Sequence, residues 1–209
     1  MQEELQGIFE TRVRFDKLER MLYSHDMGSL PSLVKPILGN TLAAGVVQPL
    51  TEEQVVNLVK LAHVLPNQDM SGHLIVEPEV ANVGTAHVEM LYAHMIHSDK
   101  AFIGSATGKK GALDTFEMAK ILFGGDLDRP VTIALINSLT PLGYSNEMLE
   151  ALVEYAQIGQ PVVIAALAMA GSTAPVTLAG ALATQTAELL AGITLTQLIN
   201  PGTPVIFGS

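Results

Sequence analysis

From residue 73 onward the chain alternates between short apolar runs and longer segments with helical periodicity. His73 to Pro78, Lys100 to Ala106, Val131 to Ser138, Pro161 to Met169 and Pro204 to Ser209 read as strands. Val83 to Ser98, Ala112 to Gly125, Asn146 to Gly159 and Thr177 to Asn200 read as helices, with Gly125 and Gly159 as stops and Asn146 as a cap. The strand runs are continuously apolar, as expected of strands buried on both faces. Repeated strand–helix–strand units imply parallel strands. No G-x-G-x-x-G follows the first strand and no phosphate-loop pattern is present, so a doubly wound nucleotide-binding sheet loses its signature and a barrel gains.

A closed (β/α) barrel needs eight strands and typically about 250 residues. Five strands are readable in these 209 residues. The expected fold class is therefore α/β, a partial TIM (β/α)8-type barrel with about five parallel strands, and the chain reads as a portion of a longer barrel protein. Ahead of it, residues 1–26 read as a helix through Ile8, Phe9, Val13, Phe15, Leu18, Met21 and Leu22. Two apolar runs around Gly39-Asn40 read as a β-hairpin, with Pro36 placing its first strand at an edge. Thr51 caps the next helix, which buries Val55, Val56, Leu58, Val59, Leu61 and Ala62 and stops at Pro66-Asn67. This divides the chain into an N-terminal extension, 1–50, and a partial barrel, 51–209.

Composition narrows the class. Apolar residues make up 48% of the chain and charged ones 15%, enough for a substantial core. No uninterrupted apolar run of about 18 residues occurs, so no membrane span is expected. The N-terminus lacks the apolar stretch of a signal peptide, and a cytoplasmic location is the default. Cysteine is absent, which excludes disulfides, thiolate metal sites and a cysteine nucleophile. A formal charge of −10 argues against nucleic acid as a partner.

In a parallel barrel, chemistry gathers at the carboxyl ends of the strands and in the loops that follow. That rule selects Glu77, Asn137, Ser138, Thr140 and Phe207 as substrate-binding candidates. Glu77 suits a cation, but is also an ordinary loop carboxylate. Asn137 and Ser138 either point into a cavity or cap a turn. Met169, Gly171, Ser172, Thr173 and Gly208 form the second group, where small residues leave backbone amides uncovered for a ligand. Tyr144, Phe102 and Phe207 offer aromatic faces to a quaternary ammonium group, or simply fill the core. Ala179, Gly180, Ala181 and Ala183 suggest close packing of a helix on the sheet. His87, His94 and His97 share a helix at spacings of seven and three and read as a surface or subunit-contact face rather than a zinc site. Lys109-Lys110 reads as a solvated, glycine-flanked loop. No catalytic triad or paired-carboxylate spacing stands out, and no bound metal is expected.

The segment AMAGSTAPVTLAGALATQTAELLAGITLTQLINPGTPVIFGS, from Ala168 to Ser209, resembles the trimethylamine methyltransferase family, whose members include pyrrolysine-containing trimethylamine enzymes and betaine-type relatives. Met169 to Gly180 follow the family run, with Ala168 in place of its proline. Gln185 or Thr186 stands where asparagine is common, Glu188 is kept, and Pro201, Gly202, Pro204, Phe207 and Gly208 fit the closing strand. Asn137 to Leu142, with Thr140 in a serine slot, and the segments around HVEMLYAHMIHSDKAFI and LTEEQVVNLVKLAHVLPNQD echo the family more faintly. The resemblance implies a barrel that holds trimethylamine or a betaine over a cobalamin carried by a separate corrinoid protein, and transfers a methyl group to it. The second group of candidates would then face the corrinoid and the first the amine. A homo-oligomer is expected. Two alternatives stay open: another barrel enzyme using Gly171 to Thr173 as an anion cradle for a phosphorylated molecule, and a non-catalytic truncated barrel.

Overall fold

The computed structural model describes residues 52–72 and 85–208, which fall into two compact units divided between Lys100 and Ala101. The expected N-terminal helix, the hairpin, the Thr51 cap, the boundary after residue 50, the strand at His73 to Pro78 and Glu77 lie outside the described residues.

In the first unit, helix α1 (Glu52–Val64) is followed by the short strand β1 (Met70–Gly72) and helix α2 (Ala86–His97). Val55 and Val59 of α1 pack with Ala93 of α2. The carboxyl end of α1 is closed by a residue from far along the chain. Lys100 Nζ donates to the carbonyls of Ala62, Leu65 and Gln68 at 2.9, 2.6 and 2.6 Å. A cation there meets both the orphan carbonyls and the negative end of the helix dipole.

The histidine face expected at the surface is largely internal. His87 and His94 are buried, because α2 turns that side toward its packing partners. His94 Nδ1 lies 2.8 Å from the Met90 carbonyl and donates to it, four residues back along the helix. Its Nε2 is buried and has no partner among the described residues. Burial lowers the His94 pKa, and the Met90 bond offsets only part of that. Among the described residues no group of three or more His, Asp or Glu is placed to hold a metal ion.

The second unit is an α/β layer. Strand β2 (Ala101–Ile103), helix α3 (Gly108–Phe123), β3 (Thr132–Asn137), α4 (Asn146–Gln157), β4 (Val162–Ala165), α5 (Leu178–Ile199) and β5 (Val205–Gly208) follow in order. The pairs β2–β3, β3–β4 and β4–β5 are all parallel, so four strands lie side by side in chain order. Each strand is shorter than its apolar run. The fourth stops at Ala165, which leaves Leu167 and Met169 in the following loop.

The register sorts side chains into two faces. Ala134, Val162 and Val205 share one row, and Ile136, Ile164 and Phe207 the next row on the same face. That face meets the helices: Ala134, Ile136, Val162 and Ile164 are fully buried with Leu152, Tyr155 and Leu189. Leu135, Val163 and Ile206, then Asn137, Ala165 and Gly208, line the opposite face.

Helix ends correct several expectations. Helix α3 begins at Gly108, so Lys109-Lys110 forms its first turn rather than a loop. A lysine there opposes the helix dipole, and α4 supplies the compensation. Glu150 Oε2 accepts from the Lys109 amide at 3.3 Å, and Glu154 pairs with Lys109 Nζ at 2.7 Å. Gly124, at φ +73, stops α3. The cap of α4 is Ser145, not Asn146, and it accepts from the Met148 amide. Thr177 caps α5 by accepting from the Gly180 amide.

By length and composition α5 is apolar enough to cross a membrane, yet it packs on β4 and β5. Its close approach is at Gly192, where a Cβ would meet Tyr144 Oη at 2.6 Å and Ile164 Cγ2 at 2.8 Å. Ala179 and Ala183, expected at that contact, are exposed, and only Ala181 of the predicted alanines is buried.

Candidate active site

From Pro161 to Ser209 the sequence contains one charged residue, Glu188. It sits in the middle of α5 with its side chain buried. A buried carboxylate must find donors or lose its charge. Here every donor comes from the loop at the carboxyl end of β3. Ser138 Oγ and Thr140 Oγ1 donate to Glu188 Oε2 at 2.5 and 2.8 Å, and the Leu142 amide donates to Oε1 at 2.8 Å. Tyr144 Oη adds a bond to the Glu188 carbonyl at 2.7 Å. Burial alone would raise the Glu188 pKa; the bonds from Ser138, Leu142 and Thr140 outweigh it and hold the carboxyl below the usual range. Burial and the nearby Glu188 charge raise that of Tyr144.

The loop itself is pinched shut. Leu139 and Gly143 exchange both backbone bonds, at 2.7 and 3.0 Å. The Thr140–Pro141 peptide at its tip is cis, and Leu142 sits at φ +55. Few non-glycine residues occupy that region. At this φ the Leu142 N–H is turned to Glu188 while its side chain stays 70% exposed beside an exposed Leu139.

The loop after β4 is closed on itself. Met169 accepts from the amides of Ser172 and Ala174 at 3.0 Å, and the Gly171 amide donates to Ala174 at 3.0 Å. Thr173 Oγ1 accepts from the Met169 amide and donates to the Leu167 carbonyl. Gly171, at φ +78, makes the turn possible. The amides expected to greet a ligand at Gly171 and Ser172 thus serve the loop, which removes the row of free donors that an anion cradle needs. What the loop presents instead is an uncharged apolar surface: Leu167, Met169, Val176 and Leu178 are all exposed.

The structure therefore brings Asn137, Ser138, Thr140, Met169, Gly171, Ser172, Thr173 and Gly208 to the same end of the sheet. Asn137, exposed, shares a row with Ala165 and Gly208. The hydroxyls of Ser138 and Thr140 are engaged by Glu188. Phe207 is set apart, because its row faces the helices rather than the Asn137 side. Phe102 is buried, and Tyr144 is tied to α5. Glu188, which organises this end, was legible only as a family match; its isolation in an apolar helix was the signal.

This arrangement sits within a segment of known ancestry. The family model described as trimethylamine methyltransferase (MTTB) matches residues 41–209. The chain belongs to the trimethylamine methyltransferase family. Within that family it is 54% identical over 156 residues to a glycine betaine methyltransferase from Desulfitobacterium hafniense strain Y51, covering 73% of this chain and 33% of the relative. It is 49% identical over 82 residues to a proline betaine:corrinoid methyltransferase from Eubacterium limosum, covering 39% of this chain and 17% of the relative. A trimethylamine methyltransferase from Methanosarcina thermophila is 28% identical over 162 residues, 76% of this chain and 34% of the relative. The chain thus spans about a third of the length of the first of these family members.

Proposed function

We propose that this chain forms one wall of a (β/α) barrel that holds a methylated amine, glycine betaine foremost, for methyl transfer to a corrinoid carried by a partner protein. The observation that carries this reading is the gathering, at the carboxyl ends of β3 to β5, of an exposed Asn137 and a rim without charged side chains. Strands lying in chain order, with no reversal, support a barrel over a doubly wound sheet. The identity to the glycine betaine enzyme, 54% against 28% for the trimethylamine enzyme, supports a betaine substrate.

The chemistry asks little acid–base work of the protein. A tetraalkylammonium nitrogen has no proton to give or take. The methyl carbon leaves with its C–N bond broken, and that electron pair stays on nitrogen, so glycine betaine becomes dimethylglycine. The corrinoid, when bound, would supply a reduced cobalt whose electron pair forms the new bond to the methyl carbon. What this chain's residues contribute is binding, alignment and exclusion of water. The Asn137 side chain, with two N–H donors free at a strand end, suits the betaine carboxylate. The rim fits a broad, weakly polar macrocycle: Met169, Val176 and Leu178 are exposed, and a Cβ at Gly171 would meet nothing nearer than Val176 at 3.8 Å.

The test is methyl-donor choice. The protein, mixed with a reduced corrinoid protein, is given glycine betaine, proline betaine or trimethylamine, and the demethylated amine is measured. Fastest conversion of glycine betaine is expected. Failure to demethylate any of the three overturns the reading.

A further inference from the structure

We propose that Glu188 is a positioning residue of this site: its carboxylate sets where the β3–α4 loop and Asn137 stand, and so governs how the methyl donor is bound. The inference rests on the functional reading above and adds to it a residue that would not touch substrate.

The geometry is specific. One side chain on α5 receives three donors from residues 138, 140 and 142, and its own carbonyl receives a fourth from Tyr144. Ser138 is the next residue after Asn137, and its amide continues the sheet by donating to the Ala165 carbonyl at 2.9 Å. Asn137 is thus fixed on one side by the ladder and on the other by the clamp. Three donors require three acceptor positions, which a carboxylate supplies and an amide does not. The bonds to Glu188 are charge-assisted, and among the described residues no lysine, arginine or histidine forms an ion pair with it. A loop with a leucine at positive φ persists only where its surroundings over-determine it; here the Leu142–Glu188 bond and the Leu139–Gly143 pair do so.

Glu188→Gln preserves volume but turns an N–H2 toward either the two hydroxyls or the Leu142 amide. Thr140→Val keeps shape and removes one donor, and Thr140→Ser restores it. Steady-state methyl transfer from glycine betaine to reduced corrinoid protein is measured for all three, alongside urea unfolding. For Glu188→Gln and Thr140→Val, KM is expected to rise about tenfold, with kcat within about threefold of the parent. Thr140→Ser is expected to return KM to within about twofold of the parent.

An unchanged KM in Glu188→Gln, or equal KM values for the Ser and Val variants, overturns the proposal. If the parent itself transfers no methyl group, the functional reading fails, and hydrogen exchange then decides the structural part. The Leu142 amide is expected to exchange at least about tenfold faster in Glu188→Gln, and an unchanged rate overturns the clamp.

Discussion

The hydroxyl of Tyr155 occupies the space that a side chain on residue 104 would need, and Gly104 is what admits it. Tyr155, on α4, is fully buried, and its ring meets Phe116 edge-on at 4.7 Å between centroids. Among the described residues its hydroxyl has no hydrogen-bond partner of ordinary geometry, although those of Thr115 and Thr132 lie near. Burial raises its pKa, and the two threonines offset only part of the effect. The neighbouring threonines are committed to the backbone at the end of β2, Thr115 Oγ1 accepting from the Ser105 amide at 3.0 Å and Thr132 Oγ1 donating to the Phe102 carbonyl at 3.2 Å.

Gly104→Ala sets a methyl group against Tyr155 Oη, Thr115 Cγ2 and Thr132 Oγ1, and is expected to destabilise by about 1–3 kcal/mol. Tyr155→Phe removes a hydroxyl whose desolvation is only partly compensated, so alone it is expected to change stability by less than about 1 kcal/mol. Combined, the two should be less harmful than their sum, because the phenylalanine relieves part of the clash. Urea unfolding of the four proteins checks this, and strict additivity would show that the two positions do not meet.

Lys100→Met keeps the aliphatic stem and removes the ammonium that closes α1. Three carbonyls lose their donor. A loss of about 1–3 kcal/mol is expected, read by urea unfolding, and faster hydrogen exchange at the end of α1 should accompany it.

His94 links the first unit to pH. Its folded pKa lies below the ordinary 6.5, so as pH falls below that value the unfolded chain takes up a proton that the folded one resists. Stability is then lost with falling pH, until the folded pKa is also passed. His94→Leu removes this proton linkage. The difference in unfolding free energy between pH 7.5 and 5.5 should be smaller in the variant than in the parent, and an identical difference would refute the assignment.

Glu188 acts in the same direction at lower pH. Its folded pKa is below 4.5, so its contribution is complete above that value and disappears as pH falls through the folded pKa. Glu188→Gln is expected to be less stable than the parent at pH 7 and to lie closer to it at pH 3, measured by urea unfolding at the two pH values.

What was readable from sequence was what is local. Continuous apolar runs gave the parallel strands β2 to β5, the helices read over Asn146 to Gly159 and Thr177 to Asn200 match α4 and α5 within a few residues, and the glycine stop of α3 stands at Gly124, one residue before the Gly125 expected. The family likeness, strong from Ala168 onward and fainter back to about Leu50, agrees with a family match that begins at residue 41. What escaped was satisfaction at a distance. Glu188 meets donors 46 to 50 positions away. Lys100 reaches carbonyls 32 to 38 positions back. Gln160, buried, accepts from the Val131 amide and donates to the Arg129 carbonyl at the opposite end of the sheet. No local pattern announces such partners. The start of α3 was missed for the same reason: Gly-Lys-Lys-Gly has poor helix propensity, and Glu150 and Glu154 of the next helix steady it. At Gly171 to Thr173 the small residues were visible, but not that the Gly171 and Ser172 amides would be consumed within the turn.

The most direct measurement is backbone hydrogen exchange across the whole protein with and without glycine betaine, in the presence of a reduced corrinoid protein. Protection confined to the carboxyl-end loops, residues 137–142 and 166–178, is the predicted result. Protection at the amino-end loops, residues 127–131 and 200–204, with none at the carboxyl ends would contradict the placement of the site.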